Sequence, residues 1–119
     1  MQATLFHRDI FLPSEIKGLF EGHTVGLDLT EHAKRASRTD RYGYLALPET
    51  LTLKGAEIVE AEVVDMEVVK LVVRTSYSAT LDAVFALIPN YERATVKTVW
   101  FNAKSDTHKT LKRHLYATR

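Results

Sequence analysis

The sequence predicts an α+β fold in which an N-terminal helix or helices pack on a four-stranded antiparallel β-meander, followed by a short C-terminal helix or tail. Three observations carry this. After Gly55 the chain holds four runs rich in β-branched residues, Ile58 to Val64, Val68 to Tyr77, Leu81 to Ile88 and Ala94 to Asn102. The links between them, 65–67, 78–80 and 89–93, are too short for helical crossovers, so consecutive strands must be antiparallel neighbours. Ahead of them, Thr30 is a good helix N-cap, and Glu31 places an acid in the first turn, where the helix dipole favours it.

Taken in order, Ala3, Leu5 and His7 alternate weakly, as a strand does, and 12–15 reads as a turn entering a short helix that runs through Phe20. Gly22 and Gly26 bracket an extended piece, Thr24 to Leu29, so the first residues form either an added subdomain or an arm on the main fold. The helix that follows runs from about Glu31 to Thr39, with His32, Arg35 and Ala36 on one face and Lys34 and Arg38 displaced towards another. A helix with this many cations is not fully buried. Asp40-Arg41-Tyr42-Gly43 closes it, and Pro48 makes the next stretch a connector.

In the second run of the meander Lys70 and Arg74 share a pleat face with Val68, Val72 and Ser76, while Val69, Leu71, Val73 and Thr75 share the other. One face is expected to be buried and the other semi-polar. Glu60 and Glu62 read as an exposed strand face. In the last run Lys97 is the one charged interruption between Thr95 and Phe101. Beyond it, 107–116 either forms a short helix with Leu111 and Leu115 as its contacts or leaves Tyr116 on final extended residues.

The chain has 119 residues, room for a single domain (1–119) with a real core and no need of a disulfide or metal staple. It has no cysteine, which removes disulfides, thiolate metal sites and cysteine nucleophiles together. No apolar run approaches a membrane span, and the N-terminus lacks the order of a signal peptide, so a cytoplasmic protein without membrane association is expected. The formal charge of +1 conceals an asymmetry. Residues 49 to 67 are acidic, with six carboxylates against Lys54. Residues 93 to 119 carry Arg93, Lys97, Lys104, Lys109, Lys112, Arg113 and Arg119 against Asp106, a basic tail able to meet a phosphate backbone. Scattered histidines and acids supply no metal constellation, and neither metal nor cofactor is expected.

A helix, a four-stranded antiparallel meander and a polar tail follow one another as in the superfamily that groups barnase-like, EndoU-like, colicin E5-like and RelE-like ribonucleases. The segments TEHAKRASRTDRYG at 30 to 43, KLVVRTSYSATLDAVFAL at 70 to 87 and VKTVWFNAKSDTHKTLKRHLY at 96 to 116 resemble a RelE-like toxin family of phage and bacterial genomes. The resemblance covers about residues 30–116 as a core and leaves 1–29 as an N-terminal extension. It implies metal-independent endoribonuclease activity, in which the ribose 2′-hydroxyl attacks the adjacent phosphate. Such a reaction needs a base, cations for the phosphorane charge and an acid for the leaving oxygen. His32 and His108 are the acid and base candidates, and Arg74 and Lys97 the phosphate clamps. Arg35, Asn102, Lys104, Lys109, Thr110 and Tyr116 are the RNA-binding candidates. Trp100, among apolar neighbours, reads as core before it reads as a stacking platform.

The implied partners are RNA, free or ribosome-bound, and an antitoxin or host protein. The chain departs from that family in its near-neutral charge and its acidic run. The alternative is therefore a phage-type accessory protein without catalysis that binds and inhibits a host macromolecule.

Overall fold

The computed structural model describes residues 3–7, 24–53, 56–65, 67–90 and 93–106. Among these residues seven strands form one sheet: β1 (Ala3–His7), β2 (Thr24–Leu29), β3 (Thr50–Thr52), β4 (Glu57–Val64), β5 (Glu67–Ser76), β6 (Leu81–Asn90) and β7 (Arg93–Ala103). A single described helix, α1 (Glu31–Arg38), lies between β2 and β3. The sheet is curled into a half-barrel, and its order is β1-β4-β5-β6-β7-β2-β3.

This overturns the expected layout of helices on a four-stranded sheet. The meander β4-β5-β6-β7 is present and antiparallel throughout. It is extended on both sides by segments that come before it in the chain. β1 adds antiparallel to β4, with His7 in register opposite Glu60. β2 adds to β7 in parallel, which makes the sheet mixed, and β3 closes the far edge. The physical reason is that β7 would otherwise be an edge with open backbone donors and acceptors. Val25 and Leu27, spaced by two, present an apolar face to the same core and satisfy that edge. The expected helix through Phe20 and the segment 107–116 lie outside the described residues.

Most of the core lies on one side of the sheet, where Phe85, Leu87, Leu71, Val73, Val96, Val99 and Phe101 meet Val25, Leu27 and Leu51. α1 covers this side through Ala33, with Leu45 beside it. A smaller cluster, Val59, Val72, Val84, Ala86 and Trp100, is buried on the opposite side. The semi-polar face expected for β5 is thus buried at its centre, and Arg74 there is only 7% exposed. Glu60 does not sit on an exposed face either. It is 1% exposed, and neither carboxylate oxygen has a hydrogen-bond partner among the described residues. A register shift between Ile58 and Glu60 sets Glu60 opposite Val72, on the side of the smaller cluster.

α1 forms where its caps predict. Thr30 accepts from Ala33 N at 3.0 Å, a cap worth about 1 kcal/mol. The same hydroxyl donates to Val96 O at 2.8 Å, which pins the start of the helix to β7. Opposite this point β7 carries one extra residue, since Thr98 pairs with Ala86 while Val96 pairs with Leu87. Lys97 is that bulged residue. The bulge shifts the inward phase from Ala94 and Val96 to Val99 and Phe101.

Candidate functional site

The sequence-predicted residues fall into two groups. Arg74, Asn102 and Lys104 converge where β5, β6 and β7 end together. Arg74 Nε donates to Asp82 Oδ2 at 2.7 Å and its Nη2 to Ala103 O at 3.0 Å. Lys104 Nζ donates to Asp82 Oδ1 at 2.6 Å and to Ser76 Oγ at 2.8 Å. Asn102 Nδ2 donates to Asp106 O at 2.9 Å. Burial opposes ionisation of Asp82, but the hydrogen bonds from Lys104 and Arg74 outweigh it, and the carboxyl is held below its ordinary value. One carboxylate therefore holds two cations, and Arg74 directs Nε and Nη2 into the protein.

His32 and Lys97 form the second group. His32 is exposed in the first turn of α1, and Lys97 is exposed at the bulge that Thr30 grips. Arg74 stands level with Val84 and Trp100 across the sheet. Two strand spacings and three residues of rise separate it from Lys97, about 14 Å. Thr30 thus ties the start of the helix that carries His32 to the bulge at Lys97, and Arg74 stands apart from that bulge. His108, Lys109, Thr110 and Tyr116 lie outside the described residues. Arg35 is exposed in the last turn of α1, and Trp100 is a buried member of the smaller cluster.

A third location emerges only in three dimensions, at the C-terminal end of α1. Thr39 caps the helix through its backbone N–H, and Asp40 then bridges two elements. Its Oδ1 accepts from Phe101 N on β7 and its Oδ2 from Tyr42 N, both at 2.9 Å. Gly43 N donates to Asp40 O at 3.0 Å, and Gly43 adopts φ of 114°, which a side chain would strain. Leu45 is buried and its N–H donates to Ser37 O at 2.8 Å. Burying Leu45 in an extended segment turns Tyr44 and Ala46 outward. The hydroxyl of Tyr77 accepts from Ala46 N at 3.0 Å, and its ring meets the Phe101 ring edge-on at 4.7 Å.

Phe101 therefore ties Asp40, Tyr77 and the Tyr44 loop to one place. The surface they make carries Tyr44 at 66% exposure, Tyr42 at 45% and Tyr77 at 42%. Arg35 and Arg38 are exposed in the last turn of α1 and Arg41 in the loop that follows it, and the Arg41 guanidinium lies 4.9 Å from the centre of the Tyr42 ring. Among the described residues no acid forms an ion pair with any of these three arginines. Between helix and strand opens a cleft of about 180 Å³, lined by Ala36, Thr39, Asp40, Arg41, Val99 and Trp100.

Of this surface the sequence reading selected only Arg35. The available signal was the pair of tyrosines in DRYGYLAL, where the alternation of Tyr44, Leu45, Ala46 and Leu47 marks an extended segment with one face outward. Among the described residues no cluster of histidines and acids is able to hold a metal ion, and no helix is long and apolar enough to cross a membrane. Compared with family models, curated proteins and solved structures, the chain matches none.

Proposed function

We propose that the protein binds single-stranded RNA on the surface at the C-terminal end of α1, as a binding module without catalysis. The observation that carries this is the grouping of three exposed tyrosines with three arginines that no acid pairs with among the described residues. Single strands are held by bases stacking on aromatic rings and by cations that track the phosphates. Tyr77 also serves the fold through Ala46 N and Phe101, which leaves Tyr42 and Tyr44 as the rings most open to a base. Lys97, exposed at the bulge gripped by Thr30, adds a further cation near the N-terminal end of α1.

Binding is favoured over cleavage by the state of the intended phosphate clamp. Arg74, needed to hold the phosphorane charge, is buried and bonded to Asp82 and Ala103 O. The test is fluorescence anisotropy of labelled single-stranded RNA with the full chain, run beside a cleavage assay in EDTA on free and ribosome-bound RNA. Saturable binding with intact RNA is the expected result. Cleavage that survives EDTA and is lost in Arg74→Ala with folding intact would restore the nuclease reading. Absence of binding to every single strand tried would remove the RNA reading altogether.

A further inference from the structure

The cleft beside Asp40 has a negative floor and a positive rim. On the floor, the Asp40 carboxylate is fixed by two backbone N–H groups at 2.9 Å, one to each oxygen. Each oxygen keeps a lone pair for a further donor. The C-terminal end of α1, which carries the negative pole of the helix, opens onto the same space through Ala36 and Thr39. Arg41 lines the mouth of the cleft, and Arg35 and Arg38 are exposed on the adjoining last turn of α1. The ligand that fits this pattern presents N–H donors at one end and negative charge at the other. A cationic ligand such as a peptide arginine would satisfy the floor but be repelled by the rim.

The volume of about 180 Å³ falls below the roughly 300 Å³ at which whole small-molecule sites begin. The cleft is therefore sized for part of a longer ligand, such as one base of a strand. Among the RNA bases, guanine alone offers two adjacent donors, N1–H and the 2-amino group, to a carboxylate. Adenine and cytosine set an acceptor beside their amino group, which would face the second oxygen unfavourably, and uracil has a single N–H. We propose that this cleft reads a guanine in single-stranded RNA, with Asp40 accepting from N1–H and the 2-amino group and Arg41 at the mouth holding a flanking phosphate. The proposal rests on the RNA-binding reading above and adds base specificity to it.

The experiment is anisotropy with the full chain and a labelled uridine-rich RNA carrying one central guanosine, against the same strand with inosine or adenosine in its place. Inosine keeps N1–H and lacks the 2-amino group, so it probes the second hydrogen bond without altering the protein. The expected order is guanosine over inosine over adenosine, with guanosine tighter than inosine by about tenfold, as expected for a hydrogen bond to a charged acceptor. Asp40→Asn, with its fold checked by circular dichroism, should bring the affinity for the guanosine strand down to that for the adenosine strand. Equal affinity for the three strands would overturn guanine recognition and leave RNA binding standing. No binding to any of them would overturn both.

Discussion

Two cationic regions of this molecule differ in what their charges are free to do. At the joint end of β5, β6 and β7, Arg74 and Lys104 converge on Asp82, and Arg74 also bonds the Ala103 carbonyl. At the C-terminal end of α1, Arg35, Arg38 and Arg41 lie exposed among Tyr42, Tyr44 and Tyr77, with no acid paired to them among the described residues. The first region is cohesive: a buried cation left without its carboxylate would cost more than the pair gains. The three arginines of the second form no ion pair among the described residues and leave their charge open to solvent. Residue type alone does not distinguish them; burial and partnership do.

The largest effect should come from breaking the cohesive region. Asp82→Asn leaves the buried Arg74 guanidinium without a counter-charge and should lower stability by about 3–5 kcal/mol, measured by urea denaturation, with RNA affinity at the α1 surface preserved under folding conditions. The pH dependence follows from the same site. The folded-state value for Asp82 is lowered, so the unfolded chain takes up the proton first as pH falls. The stabilisation is complete above the ordinary carboxylate range, near pH 4, and is lost as pH drops through the folded value. Urea midpoints between pH 6 and pH 2.5 should fall less steeply in Asp82→Asn than in the wild type.

A change of opposite sign tests the neighbouring burial. Glu60 is enclosed beside Val59 and Val72 with neither oxygen bonded among the described residues, so Glu60→Leu should raise stability by about 1–3 kcal/mol. A loss of stability would show that the carboxylate has a role this account does not give it. At the exposed region, Tyr44→Ala should weaken single-stranded RNA binding by about 1–3 kcal/mol, the worth of one stacked base. Its thermal midpoint should stay near that of the wild type. The smallest effect should be that of Lys97→Ala. Exposed at the bulge, this residue should change stability by no more than about 0.5 kcal/mol.

The meander was legible in the sequence because its strands are consecutive and its links short, so pattern and adjacency say the same thing. The parallel pairing of β2 with β7 was not. It joins Gly26 to Arg93, and no local signal specifies a partner so distant along the chain. Closeness there is visible only in space, where a Cβ on Gly26 would come within 2.6 Å of the Arg93 guanidinium, itself bonded to Asp28 at 2.7 Å. Lys97 looked like a residue needing a function because it interrupts a strand. The bulge explains the interruption, since an extra residue at that point is what lets both halves of β7 face the core. Arg74 was expected on the sheet as a phosphate clamp, and Asn102 and Lys104 at the end of the last strand as RNA-binding groups. Sequence could not say that their face is covered, and so could not separate an internal ion cluster from a phosphate clamp. The tyrosines were passed over because Tyr77 lies some 30 residues from Tyr44, and only the Tyr77 hydroxyl on Ala46 N joins them.

If RNA is held at the end of α1, the arginines there must set the salt dependence of its binding. Each phosphate contact to a single strand contributes about −0.7 to the slope of log affinity against log salt. Replacing Arg38 and Arg41 together by alanine should therefore flatten that slope by about 1.4 and weaken binding most at low salt, with the fold intact. An unchanged slope and affinity in the double variant would contradict the account.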